Sequence, residues 1–218
     1  MLFQKNTTLL FIGDSVTDCG RARPVGEGDS LGLGYVNMAN ALLTAKHHTK
    51  NIKILNTGIS GNTIRDLKKR WQSDVIDLNP DYLSILIGIN DVWRKFDSPD
   101  NPELAVGIEE YEAIYRELIE TTKRNVRKLI LMTPFFAEPD KTDTMMKDLL
   151  GYIEVVKKIA AEYKDNVILV DLQAEVDRYI NEGMPTAVIA GDRVHPSQTG
   201  SMIIAQAFLR ACACDGEI

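Results

Sequence analysis

Short apolar stretches recur along the chain and alternate with longer, more polar segments. Each stretch holds four or five residues, too few for a helix, and has at most one polar residue, which is too apolar for a half-exposed strand. Strands buried on both faces of a parallel sheet have this pattern. The sequence therefore predicts five parallel strands, at residues 9–12, 52–55, 83–87, 129–132 and 167–170.

The segments between the predicted strands have the apolar spacing of helices. In residues 108–119 the aliphatic and aromatic side chains fall on one stripe, with glutamate and arginine on the other face. Residues 35–45 and 145–159 repeat this pattern. Residues 197–212 are apolar on more than one side, which indicates a well-covered last helix.

Alternating strands and helices through the whole length predict one α/β domain over residues 1–218. We expect a three-layer α/β/α sandwich around a five-stranded parallel sheet with flavodoxin-like strand order. Residues 91–102 and 134–143 contain proline and charge and are expected to be irregular loops.

Composition and charge then exclude several classes of partner. The 25 basic and 31 acidic residues give a formal net charge of −6, which argues against non-specific binding of nucleic acid. No apolar run approaches the roughly 18 residues of a membrane span, and the N-terminal segment lacks the apolar core of a signal peptide. The three cysteines, Cys19, Cys212 and Cys214, suit neither a disulfide framework nor a metal site. We therefore expect a cytoplasmic protein with no membrane partner, no metal and no other cofactor.

Small, polar and ionisable residues follow the predicted strands. They occupy residues 13–18 after the first strand, 56–63 after the second, 88–91 after the third and 191–196 near the end of the chain. Ligands of open α/β sheets bind beyond the carboxyl ends of the strands. We therefore expect these four segments to meet at one edge of the sheet.

Histidine is rare in this chain, so each one is informative. His47 and His48 lie beside lysines at the polar end of a predicted helix and are expected to be solvated. His195 follows Asp192 by three residues, a separation that can bring the carboxylate against imidazole Nδ1 and leave Nε2 free as a base. Taken alone, such a pair in a loop is more often structural than catalytic.

The other candidate residues also have structural interpretations. Ser15 suits the start of a helix, and Gly61 suits a turn that needs positive φ. Asn90 suits a turn cap, while Thr63 and Asp66 fit a helix capping box. Each residue alone favours the structural interpretation, whereas their combination favours a catalytic site.

That combination resembles the SGNH hydrolases, also called the GDSL esterase/lipase family. Four blocks match in order: G-D-S ending at Ser15, S-G-N-T around Gly61, G-x-N-D around Asn90, and D-x-x-H-P containing Asp192 and His195. The resemblance implies a serine esterase with Ser15 as nucleophile, His195 as general base and then acid, and Asp192 as its orienting carboxylate. It also implies an oxyanion hole made of the Ser15 and Gly61 backbone N–H groups and the Asn90 side-chain amide.

Within that family the segments G-D-S-V-T-D-C-G-R and D-R-V-H-P are most similar to intracellular acetyl xylan esterases. This resemblance implies a small acetylated saccharide as substrate, with release of acetate from xylo-oligosaccharides taken into the cell. It also implies a homo-oligomer, and an octamer is known among such esterases. A lysophospholipase or thioesterase acting on longer acyl chains is the alternative, and a non-catalytic carbohydrate-binding module is a third interpretation.

Two further residues are candidates for substrate contact. Trp93, three residues beyond Asn90, could stack on a sugar ring or pack beneath its loop. Arg21 could contact the substrate or pair with Asp18.

Other residues near the motifs are expected to be structural. The acidic residues Asp14, Asp18 and Asp91 are interpreted as local hydrogen-bond anchors, and the basic residues at positions 65–70 as the solvated face of a helix. The phenylalanines at 135 and 136 could line an acyl pocket or belong to the core.

Overall fold

A six-stranded sheet forms the centre of the computed structural model, which describes residues 1–214. Its strands, in chain order, are β1 (Thr8–Gly13), β2 (Gly26–Glu27), β3 (Lys53–Asn56), β4 (Tyr82–Leu86), β5 (Lys128–Met132) and β6 (Val167–Val170). The spatial order is β2-β3-β1-β4-β5-β6, and every pairing is parallel except β2 with β3.

The five predicted strands are confirmed, and the strand count is corrected from five to six. The five parallel strands have the flavodoxin-like order, because the chain crosses from β3 over β1 to β4. The additional strand, β2, is a two-residue antiparallel edge strand opposite Leu55 and Asn56. Two residues, one of them glycine, carry no periodicity that a sequence pattern could reveal.

Helices occupy the connections between the strands. They are α1 (Ser15–Asp18), α2 (Tyr35–His47), α3 (Ile64–Trp71), α4 (Ile89–Asp97), α5 (Ile108–Thr122), α6 (Thr144–Glu162), α7 (Leu172–Asn181), α8 (Thr186–Ile189) and α9 (Gln198–Ala211). Across residues 1–214, no helix has both the length and the apolar character that crossing a lipid bilayer requires.

The helices cover both faces of the sheet and enclose two separate cores. Along β1, Leu10 and Ile12 face the core beneath α3, α4, α5 and α6, whereas Leu9 and Phe11 face the core beneath α2, α7 and α9. Successive side chains of a strand point to opposite faces, so uniformly apolar strands supply both cores at once. The predicted three-layer α/β/α arrangement is confirmed.

The expected loop at residues 91–102 is wrong in its first half, because α4 runs from Ile89 to Asp97. Val92 is fully buried under this helix, but two and a half turns with an exposed Phe96 give only a short stripe of apolar residues. Residues 134–143 are largely irregular, as predicted.

Strand register brings the chemistry-bearing loops together. Gly13, at the end of β1, lies opposite Leu86 at the end of β4, and Phe11 lies opposite Asn56 at the end of β3. A Cβ on Gly13 would stand 2.3 Å from the Leu86 carbonyl oxygen, so only glycine permits this approach. The loops after β1, β3 and β4 therefore leave the sheet side by side.

Candidate active site

Ser15 is the first residue of α1, directly after the turn that ends β1. Asp14 is the N-cap of this one-turn helix, and its Oδ1 accepts a hydrogen bond from the Val16 N–H at 3.0 Å. Ser15 itself is only half-buried. The helix start thus presents the Ser15 hydroxyl at the carboxyl edge of the sheet while Asp14 remains inside.

The structure brings together three residues that the sequence analysis singled out. Ser15 Oγ lies 2.9 Å from His195 Nε2, although the two residues are 180 positions apart. On the other side of the imidazole ring, Nδ1 lies 2.6 Å from Asp192 Oδ2. Hydroxyl, imidazole and carboxylate therefore form one continuous hydrogen-bonded chain.

The Asp192 carboxylate fixes the histidine tautomer. Its Oδ1 accepts the backbone N–H groups of Val194, at 3.0 Å, and His195, at 2.7 Å. Burial opposes ionisation, but the hydrogen bonds from the side chain and backbone of His195 outweigh it and lower the pKa of Asp192. An ionised acceptor requires the proton on Nδ1, which leaves the lone pair of Nε2 directed at Ser15.

The loop that carries Asp192 and His195 is anchored on the loop after β5. Arg193 pairs with Glu138, and its guanidinium lies 4.8 Å from the ring centre of Phe136. The Arg193 carbonyl accepts the Ala137 N–H at 2.8 Å. Phe136 is 2% exposed, and Phe135 is also buried, so both phenylalanines belong to the core.

Gly61 and Asn90 lie beside the nucleophile loop. Asn90 is buried, and its Nδ2 donates to the Asn62 carbonyl at 3.0 Å. Its Oδ1 accepts a hydrogen bond from Arg94 Nη2 at 3.5 Å. Because a guanidinium can only donate, the amide atom that faces Arg94 must be the oxygen, and the amide nitrogen faces the Asn62 carbonyl. The second hydrogen of Nδ2 therefore remains available to a ligand.

Gly61 adopts φ +81°, which strongly favours glycine. Crowding is not the reason for glycine here, since an added Cβ would meet only Arg94 Nη2, at 3.6 Å. Within residues 1–214, the N–H groups of Ser15 and Gly61 have no acceptor. These two N–H groups, and the one hydrogen of Asn90 Nδ2 that the Asn62 carbonyl does not accept, are therefore free to donate to a ligand.

Trp93 lies at the site. Its indole packs against His195 with ring centroids 5.8 Å apart and planes at 55°, and its other contacts are with the core beneath α4. Packing against the histidine and against the core is therefore its observed role.

Arg21 does not have either of the roles predicted for it. It is 4% exposed, and its guanidinium donates to backbone carbonyls, including that of Gly58 at 2.7 Å from Nε. The residue that pairs with Asp18 is Arg23, at 2.6 Å. Arg21 thus holds the loop after α1 against the loop after β3, because its buried donors are taken up by main-chain acceptors.

The neighbouring acidic residues are hydrogen-bond anchors, as expected. Asp18 Oδ2 accepts the backbone N–H of Ser60 at 2.9 Å and its hydroxyl at 2.8 Å. Asp91 Oδ1 accepts the Ile64 N–H at 3.0 Å at the start of α3. Burial raises the pKa of Asp14 and of Asp91, each to about 7.

Arg70 does not belong to the solvated helix face predicted at residues 65–70. Its basic neighbours, Lys68 and Lys69, are exposed as expected, but only 13% of the Arg70 side chain is exposed. Its guanidinium reaches beneath the catalytic loops, where it donates to the Gly13 carbonyl at 3.0 Å. Lys68, Lys69 and Arg70 are consecutive basic residues, so charge alone did not separate Arg70 from its solvated neighbours.

A hydroxyl, an imidazole and a carboxylate in one hydrogen-bonded chain, beside unpaired N–H donors, define the serine hydrolase class on this fold. The comparison with known families identifies the branch of that class. The sequence model of the GDSL-like Lipase/Acylhydrolase family matches residues 11–203. The chain belongs to this family, which confirms the resemblance seen in the motifs.

Two relatives are similar over almost the whole chain. The acetylxylan esterase of Geobacillus stearothermophilus is 52% identical over 204 residues, which cover 93% of this chain and 92% of that protein. A crystal structure of that enzyme, Axe2, covers 97% of this chain and 96% of its own, with a TM-score of 0.93 and 50% identity. An α/β hydrolase enzyme from the metagenome of Lake Arreo, Spain, covers all of both chains with a TM-score of 0.95 and 41% identity.

Crystal structures also exist for Axe2 variants described as catalytic mutants. In these variants a serine, an aspartate or a histidine is replaced by alanine.

Proposed function

We propose that Ser15, His195 and Asp192 hydrolyse carboxylic esters through an acyl-enzyme. The observation that carries the proposal is the chain of contacts from Ser15 Oγ to His195 Nε2, 2.9 Å, and from His195 Nδ1 to Asp192, 2.6 Å. The naming of a serine, a histidine and an aspartate as catalytic in Axe2 variants supports it.

In the first half-reaction, Nε2 of His195 takes the hydroxyl proton as Ser15 Oγ attacks the ester carbonyl. The carbonyl oxygen becomes an oxyanion in a tetrahedral intermediate. This intermediate collapses when the alcohol leaves with the proton from the imidazolium, and an acyl group remains on Ser15. Asp192 stays ionised throughout and stabilises the imidazolium.

In the second half-reaction, Nε2 takes a proton from water as the water oxygen attacks the acyl carbon. The carboxylic acid leaves, and His195 returns the proton to Ser15 Oγ. In both half-reactions the oxyanion accepts hydrogen bonds from the N–H groups of Ser15 and Gly61 and from the side-chain amide of Asn90. One such donor stabilises a transition state by roughly 3–4 kcal/mol.

For the substrate, we propose acetylated xylo-oligosaccharides. The similarity to an acetylxylan esterase over 93% of this chain supports this assignment. The openness of the site also supports it, because the side chains of His195 and Asp192 are 44% and 50% exposed, which leaves room for a branched sugar beside the ester. Trp93 is a candidate for stacking on that sugar, since its indole lies against His195.

Turnover of p-nitrophenyl acetate by wild type and by Ser15→Ala tests the catalytic role. We expect hydrolysis by wild type, none above background in Ser15→Ala, and wild-type rates in the control Ser98→Ala at the far end of α4. A fluorophosphonate followed by mass spectrometry should modify Ser15 in wild type and leave Ser15→Ala unmodified. Full activity in a correctly folded Ser15→Ala protein would contradict the proposal.

A series of p-nitrophenyl esters from acetyl to octanoyl tests the substrate class, with NMR of acetylated xylo-oligosaccharides as the direct measurement. We expect a strong preference for acetyl and release of acetate from the sugar. Equal rates on acetyl and octanoyl esters would favour the lysophospholipase or thioesterase alternative. Binding of the oligosaccharide without turnover of any ester would favour the carbohydrate-binding module.

We also propose that residues 1–218 form a single hydrolase domain that acts as a cytoplasmic homo-oligomer, with an octamer as one assembly. Within the described residues, Cys19 and Cys212 form no disulfide, which suits a reducing compartment. Leu33 is an apolar side chain that is 72% exposed, and its burial in a subunit interface would stabilise an assembly. Light scattering on protein eluted from a size-exclusion column tests the number of subunits, and cell fractionation tests the cytoplasmic location.

A further inference from the structure

Arg70 is a buried cation beneath the candidate active site. Its Nε donates to Asn62 Oδ1 at 2.8 Å, and its Nη2 donates to the Gly13 carbonyl at 3.0 Å. Its Nη1 donates to the Thr57 carbonyl and to Asp74 Oδ2, each at 2.6 Å. Four of the N–H groups of Arg70 therefore donate to protein acceptors. Three of these acceptors, on Gly13, Thr57 and Asn62, belong to the segments at the ends of β1 and β3 that form the candidate active site.

Those acceptors connect the nucleophile to the oxyanion hole. Gly13 is two residues before Ser15, and Asn62 directly follows Gly61. The Asn62 carbonyl, in turn, accepts the Asn90 amide at 3.0 Å. One guanidinium thus contacts the segments that hold Ser15 and Gly61, and through Asn62 it is connected to Asn90.

Ion pairing with Asp74, in the π-helical turn Gln72–Ile76 that continues α3, compensates the cost of burying the cation. Burial lowers the pKa of Arg70, and the hydrogen bond to Asp74 opposes that shift. Lysine cannot replace this arrangement, because one ammonium nitrogen does not span acceptors spread around a planar fork. The contacts therefore require the shape of the guanidinium as well as its charge.

We propose that Arg70 is a positioning residue for ester hydrolysis, which sets the distance between Ser15 and the donors on Gly61 and Asn90. A largely buried guanidinium with four of its five N–H groups hydrogen-bonded gives these loops a common support, so that the tetrahedral intermediate meets donors already in place. The inference rests on the proposed roles of Ser15, Gly61 and Asn90. Arg70 acts through those groups and does not touch the substrate.

Arg70→Gln and Arg70→Lys test the proposal, with Arg65→Gln as the matched control. Arg65 lies on the same helix and also makes several hydrogen bonds, but these join α3 to Glu110 on α5 and to the Glu103 carbonyl, away from the site. The measurements are kcat and KM for p-nitrophenyl acetate, the inhibition constant of phenylboronic acid, and the thermal unfolding midpoint. Boronic acids form a tetrahedral anion on an active-site serine and therefore report on the oxyanion hole.

For Arg70→Gln we expect kcat to fall about 10²-fold with KM within about threefold of wild type, since misplaced groups cost this much. The inhibition constant of phenylboronic acid should rise by a similar factor, and Arg70→Lys should recover only part of the loss. Arg65→Gln should lower the unfolding midpoint and keep kcat within about threefold of wild type.

Three results would overturn the proposal: a kcat within about threefold of wild type in Arg70→Gln, an equal loss in Arg65→Gln, or a lower kcat with unchanged boronate affinity. If neither Arg70 variant folds, Asn62→Ala is the substitute, because it removes the side-chain acceptor of Arg70 Nε and keeps the carbonyl of residue 62 that accepts the Asn90 amide. Asn62→Ala should lower kcat and boronate affinity together. If it changes neither quantity, the proposal is overturned. The wild-type and Ser15→Ala rates separate this outcome from failure of the proposed function, because they test hydrolysis without reference to Arg70.

Discussion

The indole of Trp93 and the imidazole of His195 pack against each other, with ring centroids 5.8 Å apart and planes tilted by 55°. Trp93 sits on α4 three residues after Asn90, and His195 lies in the loop before α9. Both ring nitrogens of His195 are hydrogen-bonded, to Ser15 and to Asp192, and the indole adds a packing contact against the ring. Trp93 therefore packs against the proposed base.

Replacing Trp93 by leucine should slow hydrolysis even of an ester without a sugar. We expect kcat for p-nitrophenyl acetate to fall about tenfold, because His195 loses the side chain that packs against its ring. Steady-state kinetics measure this, with Trp71→Phe as a control: Trp71 is buried beneath α3, and its indole donates to Thr122. An unchanged kcat in Trp93→Leu, with KM raised only for acetylated xylo-oligosaccharides, would restrict Trp93 to sugar stacking.

Asp192→Asn should lower kcat by about 10³- to 10⁴-fold. Asparagine keeps the shape, but an amide nitrogen facing Nδ1 favours the tautomer that carries its proton on Nε2, so the ring can no longer accept the proton of Ser15. The measurement is kcat for p-nitrophenyl acetate, compared with Asp177→Asn, whose carboxylate pairs with Lys141. A loss of less than about tenfold would show that Asp192 does not set the tautomer.

Asn90→Leu should lower kcat by about 10²- to 10³-fold and change KM little, because the amide contributes only once the oxyanion has formed. Leucine keeps the volume and removes the donor. Asn40→Leu on α2 is the control for replacing asparagine by leucine within a helix. A large rise in KM with constant kcat would place Asn90 in ground-state binding instead.

Much of the sheet could be predicted because each parallel strand has side chains that pack in both hydrophobic cores. Leu10 and Leu9 are adjacent in sequence and lie in different cores, so the strand must be apolar at every position. The edge strand Gly26–Glu27 is held in the sheet by main-chain hydrogen bonds to β3 and not by apolar side chains on both faces. A sequence pattern carries no trace of such a strand.

The candidate site was predictable for a different reason. Parallel strands end at one edge, so Ser15, Gly61 and Asn90 can be assigned to the same place from their position after a strand. His195 follows α8 and not a strand, and its D-x-x-H-P motif assigned it to the site. The arginines were not predictable in this way. Arg21 and Arg70 donate to backbone carbonyls, and nearly every residue of a chain offers a carbonyl, so sequence gives no partner to recognise.

Two carboxylates cap the start of α3 with opposite electrostatic consequences. Asp91 accepts the Ile64 N–H, its Oδ2 is a buried atom without a partner in the described residues, and burial raises its pKa to about 7. Asp66 accepts the Thr63 N–H at 3.0 Å. Burial opposes its ionisation, but the hydrogen bonds from Thr63 and Lys69 outweigh that effect and lower the pKa of Asp66.

Asp91→Asn should therefore gain stability relative to wild type as the pH rises. In the unfolded chain a carboxyl ionises near pH 4, so between about pH 4 and 7 folded wild type binds a proton at Asp91 that the unfolded chain lacks, and its unfolding free energy falls with rising pH. Asparagine does not ionise, so from pH 5 to 8 the difference should shift by about 2.6 kcal/mol in favour of the variant. Asp66→Asn supplies the contrast: with its pKa below the unfolded value, the contribution of Asp66 is lost only in stronger acid, so that difference should stay constant from pH 5 to 8. Urea denaturation at several pH values measures both, and a constant difference for Asp91→Asn would mean that Asp91 is ionised in the folded protein throughout.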